Sequence, residues 1–221
     1  MNLFRTPIGH ARDLVTRMAA WVDDHRRVRR ADRRVWGEPT TLAGVGQVTA
    51  RWLEGEVRTS MGYGAGPDPE TVPLIPVLAR LNRAGFVTIN SQPGETGDGY
   101  FQRAWVAGLA DEATLARIID AVDGTDLMLR YGFGRGAHRR YPRYPITVEG
   151  DSPETGWVCT SITCGLPRRD HDLVYECCSD AAYAAVMAAA QVDVVDPVWG
   201  RNDLLWPTLD AALTGHEGKP R

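Results

Sequence analysis

Cysteine is scarce in this sequence, and what there is sits in the last third: Cys159, Cys164, Cys177 and Cys178. No C-x-x-C pair and no histidine in finger spacing accompanies them, which argues against zinc. The vicinal pair Cys177-Cys178 has no neighbouring feature that would lower a thiol pKa. Two small buried thiols are therefore expected rather than a redox couple. Long apolar runs are also missing, since nothing approaches the roughly 18 residues of a membrane span. The opening MNLFRTPIGHARDL lacks the continuous apolar stretch of a signal peptide, so a cytoplasmic protein is expected. Neither sign of charge dominates. A net charge of −3 gives no overall case for a nucleic-acid partner. Finally, no His-Asp-Ser, Cys-His or metal-ligand constellation shows recognisable spacing, which tilts the reading toward binding.

What is present is an ordinary globular composition, 43% apolar and 24% charged. At 221 residues the chain can bury one sizeable core, or two small halves sharing an interface. Residues 8–34 carry Leu14, Val15, Met18, Trp21 and Val22 at helical spacing, then turn arginine-rich from Arg26 to Arg34. Interspersed Asp13, Asp23, Asp24 and Asp32 make a solvated face the simpler reading than an anionic docking patch. The organisation that follows is a basic amphipathic helix over 1–35, a domain over 36–214 and a loose tail over 215–221.

Thr40 or Thr41 can cap a helix running to about Glu56. Thr71 can cap the next, with Pro73 tolerated in its first turn and Gly85 past its end. Phe86 to Ile89 reads as a strand, 90–99 as a loop, and Tyr100 to Leu109 as a strand or a strand entering a helix. Asp111 caps another helix, Leu127 to Tyr131 reads as a strand, and Val148 to Pro153 as a loop. Trp157 to Ile162 and Asp172 to Glu176 read as strands, with Ser179 or Asp180 capping an alanine-rich helix and a last helix over Leu204 to Leu213. This order lacks regular βαβ alternation, so the expected class is α+β or mixed α/β, a single domain with a mixed sheet flanked by helices.

Two local patterns mislead. Gly132-Phe133-Gly134-Arg135-Gly136 looks like a dinucleotide fingerprint but lacks the strand–turn–helix context and the later acidic residue. The basic, aromatic run His138 to Pro145 reads as an irregular connection, because its two prolines argue against a central strand.

The stretch with most promise is Glu70 to Trp105. It contains Asn82-Arg83-x-Gly85-x-x-Thr88-Ile89-Asn90-Ser91-Gln92-Pro93, preceded by Glu70-Thr71 18 residues before Thr88. Around it stand Trp36-Gly37-Glu38, Leu53-Glu54-Gly55-Glu56, Gly99-Tyr100-Phe101-Gln102-Arg103-Ala104 and the closing Val195-Asp196 and Leu205-Trp206. In this order, over about 36–213, the blocks resemble the C-terminal regulatory domain of eukaryotic methylenetetrahydrofolate reductase. The T-I-N-S-Q-P run is the most specific. The family's G-Y-x-F-Q-K-A is matched with one residue missing, and one further family threonine has no counterpart.

In that family the domain binds S-adenosylmethionine and S-adenosylhomocysteine and transmits inhibition to a catalytic barrel. The barrel is absent here, so the resemblance implies the ligand without flavin, metal or folate reduction. It implies Glu70, Thr71, Thr88 and Ser91 as ligand contacts, and Thr163 in I-T-C-G-L-P as a fifth. Chemically, Glu70 can accept from an ammonium or ribose hydroxyls, and the hydroxyls can hold a carboxylate. Tyr100 or Trp105 can face the sulfonium. The bland alternative is that Glu70 and Thr71 cap a helix and Ser91 stabilises a turn.

Three functions follow as expectations. One is a free-standing sensor or carrier of the two adenosyl compounds, with a homodimer or protein partner met through the arginine-rich first helix. Another is an enzyme consuming S-adenosylmethionine by lyase or ring-closing chemistry, with Glu70, Tyr100, His171 or Tyr175 as base. The third is an interaction module that has lost the ligand.

Overall fold

A computed structural model describes residues 30–60, 66–134, 141–164, 175 and 177–215. Most of the expected first helix, the strand proposed around Asp172–Glu176, His171 and the end of the tail lie outside them. Six α-helices are described: α1 (Arg30–Gly37), α2 (Leu42–Leu53), α3 (Ile75–Arg83), α4 (Glu112–Val122), α5 (Asp180–Ala188) and α6 (Leu205–Thr214). Seven strands accompany them: β1 (Val87–Gln92), β2 (Glu95–Gly97), β3 (Tyr100–Ala110), β4 (Met128–Phe133), β5 (Tyr144–Glu149), β6 (Trp157–Ile162) and β7 (Ala190–Trp199).

Helix starts follow side-chain chemistry where a short polar residue precedes an apolar stripe. Thr41 accepts from the Gly44 amide at 3.1 Å, Asp111 from Thr114 at 2.7 Å and Ser179 from Ala182 at 3.1 Å. Thr71 does not cap. It lies inside a 3-10 turn, Pro69–Leu74, and its amide donates to the Asp68 carbonyl at 2.9 Å. Pro73 and Pro76 each withhold an N–H donor, so the chain tightens first and the α-helix begins only at Ile75. Gly85 closes α3 at φ +98°, the left-handed geometry expected of it.

The sheet runs β4-β7-β3-β5-β6, with β1 and β2 also on β3, and every pairing is antiparallel. With helices packed against this sheet, the α+β class expected from the element order is the one observed. Strand β3 is the hub. Its Trp105–Leu109 segment lies between β1 and β7, while its Tyr100–Gln102 segment lies between β2 and β5. At the changeover, Arg103 donates to the Pro197 carbonyl at 2.9 Å and the Pro145 carbonyl at 2.6 Å. Its guanidinium also sits 3.6 Å from the Trp199 ring centre and 4.6 Å from that of Tyr144. One side chain thus ties three strands where the sheet divides.

Two expectations need correction. Residues 90–99 are not a plain loop, because Asn90, Ser91 and Gln92 continue β1 and residues 95–97 form β2. Tyr144–Glu149 is a strand with neighbours on both sides, despite Pro145. The proline is tolerated because β3 covers only Thr147–Glu149 of β5, so its missing N–H removes no bond to β3.

The main core lies between one sheet face and the helices, with Phe86, Leu78, Leu81, Ile118 and Leu209 among its most buried side chains. On the opposite face a smaller cluster gathers Trp105, Ala107, Ile146, Ile162 and Val195. Helices α2 and α3 touch at Gly46, where a methyl group would meet the Asn82 carbonyl oxygen at 2.3 Å. No helix among the described residues is long and apolar enough to cross a membrane.

Arg83 is bidentate to Glu54 at the end of α2, and Arg80 to Asp210 in α6. Hydrogen bonding to Arg83 holds the Glu54 carboxyl below its ordinary value, as Arg80 does for Asp210. A carboxyl depressed on folding contributes stability above its unfolded value and loses it as pH falls. The unfolding free energy should therefore decline below about pH 4.5, and an Arg80→Gln, Arg83→Gln variant should show a shallower decline by urea titration. Gly46→Ala should lower stability by about 1–3 kcal/mol through overpacking, read from the denaturant midpoint.

Candidate functional site

A cleft opens beside β1, the edge strand on one side of β3. Its floor is apolar, formed by Trp52 and Leu53 at the end of α2, Leu78 of α3 and Ile89. Its polar wall comprises Asp68, Thr71, Thr88, Asn90 and Ser91. The empty volume, open mouth included, is about 370 Å³. The enclosed space is only about 30 Å³, well below the roughly 300–1,000 Å³ of small-molecule pockets, so a ligand would lie largely across the open mouth.

The wall owes its shape to an irregularity. Thr88 pairs with Gly108 and Asn90 with Ala107, leaving Ile89 as an extra residue on β1. A regular strand would turn alternate side chains away, whereas the bulge lets Thr88, Ile89, Asn90 and Ser91 all border one cleft. Asn82 fixes this segment. Its buried amide donates to the Leu78 carbonyl at 2.8 Å and to Thr88 Oγ1 at 2.6 Å, while its oxygen accepts from the Thr88 amide at 3.0 Å. Because Thr88 Oγ1 accepts from Asn82, its own proton remains available to a ligand. Among the described residues, Thr71 and Ser91 have no side-chain hydrogen bond.

The six residues named from the sequence are therefore not all together. Thr71, Thr88 and Ser91 share the cleft. Glu70 is exposed on the 3-10 turn and does not line it. Tyr100 also lies outside the lining, its hydroxyl donating to the Gln102 side-chain oxygen. Burial raises the Tyr100 pKa, and the Glu70 and Glu95 carboxylates raise it further. Trp105 is on the opposite sheet face, where its indole donates to Asp193 at 2.8 Å. Thr163 follows β6, its carbonyl accepting from Arg130 on β4 at 3.1 Å, and β4 is separated from β1 by β7 and β3. Joining Thr163 to the cleft would require crossing the sheet.

Among the candidate bases, Tyr175 is buried in the helix-side core, and burial pushes its phenol far above the ordinary value. Neither it nor Tyr100 is poised to accept a proton at neutral pH. Cys178 is pushed up to about 12 by burial and then by its neighbour Cys177, as expected of an inert thiol.

The sequence reading missed Trp52, Asp68 and Asn90. Trp52 was assigned to the apolar stripe of α2, and nothing in helical spacing separates a core tryptophan from one that also floors a cleft. Asp68 follows a proline in a glycine-rich run and reads as turn chemistry.

A family described as a domain of unknown function (DUF6919) matches residues 31–216, and the chain belongs to that family. A search of the curated proteins found no match.

Replacing Asn82 by Ala should cost about 2–4 kcal/mol, by removing three hydrogen bonds and leaving the Leu78 carbonyl and the half-buried Thr88 groups without this partner. A urea denaturation curve measures this. At pH 8 a thiol reagent should label exposed Cys159 well before buried Cys164 or half-buried Cys178, as read by peptide mass spectrometry.

Proposed function

We propose that this DUF6919 protein is a binding protein for S-adenosylmethionine and S-adenosylhomocysteine, working as a sensor or carrier. The observation that carries the reading is the convergence of Thr71, Thr88 and Ser91 on one cleft with an apolar and aromatic floor. Thr71 comes from the 3-10 turn and Thr88 and Ser91 from β1, and all three are residues for which the resemblance to the reductase regulatory domain implies ligand contact.

The chemistry of the lining suits such a ligand. Hydroxyl groups on Thr71, Thr88 and Ser91 can meet ribose hydroxyls or the amino-acid carboxylate. Trp52, Leu53, Leu78 and Ile89 give the cleft an apolar base against which one edge of an adenine or a thioether can rest. Glu70 and Tyr100 fit a role at the rim better than contact in the cleft, and Thr163 fits no role in this site.

Binding is favoured over turnover. Lyase or ring-closing chemistry on the sulfonium compound needs a base beside the amino-acid portion. Tyr100 and Tyr175 hold their protons more firmly than free tyrosine, and neither borders the cleft.

Isothermal titration of the purified chain should give heat with both adenosyl compounds below millimolar concentration. Thr71→Val and Ser91→Ala should each weaken binding about three- to tenfold, the worth of one hydrogen bond. Absence of heat with either compound at millimolar concentration would sink the reading. Incubation with S-adenosylmethionine should yield no more methylthioadenosine by mass spectrometry than a protein-free control, and a protein-dependent excess would move the protein to the enzyme class.

A further inference from the structure

We propose that the cleft selects its ligand by charge, favouring cationic and net-neutral molecules over anions, with Asp68 as the residue that sets the preference. The proposal rests on the adenosyl-binding reading for the probes used, but the charge argument comes from the cleft itself. Among the described residues, the one charged side chain in its lining is the Asp68 carboxylate, with no lysine, arginine or histidine beside it. Glu70, two positions on, adds a second carboxylate whose field reaches Tyr100. Residues 61–65, which adjoin the cleft's Pro67–Asp68 edge in sequence, read Met-Gly-Tyr-Gly-Ala and bring no charge.

The described cations on the neighbouring elements are paired or lie outside the lining. Arg51 pairs with Glu56 and Arg83 with Glu54, while Arg58 is exposed and outside the lining. No counter-charge is therefore supplied to an anion in the cleft from these elements. A phosphate would meet hydroxyls and a carboxylate, without the arginine fork or lysine that usually neutralises it.

Asp68 is also unemployed locally. It occupies the position before the 3-10 turn, where an aspartate commonly takes a backbone amide, yet its side chain makes no capping bond. Among the described residues it has neither ion pair nor side-chain hydrogen bond. Its carboxylate is exposed at the edge of the cleft that Trp52 also lines, and that charge attracts a sulfonium. S-adenosylmethionine carries one positive charge more than its thioether product. Asp68 should therefore discriminate between them, although the hydroxyl contacts are common to both.

The test is calorimetric titration of the full chain with S-adenosylmethionine, S-adenosylhomocysteine and adenosine monophosphate, at low and high sodium chloride. At low salt the sulfonium compound should bind about three- to tenfold tighter than the thioether, a gap that salt narrows. Adenosine monophosphate should be the weakest of the three. Asp68→Asn should bring the sulfonium affinity down to that of the thioether and leave the thioether affinity unchanged, while Asp68→Glu should retain the gap. Thermal melts of both variants matching the parent would exclude misfolding as the cause. If both adenosyl compounds bind equally to the parent, or adenosine monophosphate binds as tightly as they do, charge selection is overturned and the adenosyl-binding reading stands. A gap that survives Asp68→Asn overturns the role of Asp68. If neither adenosyl compound binds, both readings fall together.

Discussion

The side chain of Asn82 is the constraint on which the candidate site depends. It sits near the end of α3, buried, and satisfies the Leu78 carbonyl and both the amide and the hydroxyl of Thr88. A buried amide with these partners meets its own hydrogen-bonding requirement while fixing the distance between helix and edge strand. Its backbone carbonyl presses on Gly46, so α2 is brought in by the same residue. Three elements meet there, and the cleft is the space their side chains leave beside β1. The bulge at Ile89 lies next to this anchor, which is why four successive residues can border the cleft.

A second constraint operates on the scale of the sheet. β3 is long enough to serve two sets of neighbours, and its two ends are paired with different strands. Arg103 sits at the changeover, with its charge stacked between two rings and its donors spent on two carbonyls. Burial lowers its pKa from the ordinary arginine value, but these partners keep the guanidinium engaged. Asp196, buried on β7, accepts at both carboxylate oxygens from the Nε of Arg201, whose terminal nitrogen also donates to Asp126. Buried charge in this fold is thus used to fasten the strand ends, and the cleft is left with a single carboxylate.

The sequence was most legible where chemistry is local. Thr41, Asp111 and Ser179 announce their helices because a short polar side chain can reach an amide three positions on. Gly85 announces a left-handed turn, and the apolar stripes of α2, α4 and α6 announce their buried faces. It was least legible around Pro145 and Pro73. Whether a proline disrupts depends on which neighbour would have used its N–H, and that is settled by partners distant in sequence. The placement of Thr163 illustrates the same limit: its motif resembles a ligand-binding threonine, but sheet order puts it beyond β3 and β7 from the cleft.

What the sequence by itself determined was the α+β class and most helix caps, which follow from propensity and spacing acting within a few residues of chain. The site candidates Glu70, Thr71, Thr88, Ser91, Thr163 and Tyr100 were put forward by the resemblance. Tertiary structure alone decided that Thr71, Thr88 and Ser91 share a cleft, that Trp52 floors it, that Asp68 supplies its charge and that Glu70, Tyr100 and Thr163 stand apart. A cleft is made by surfaces that meet across long sequence separations. Its lining is fixed by strand register and helix packing, which no local pattern encodes.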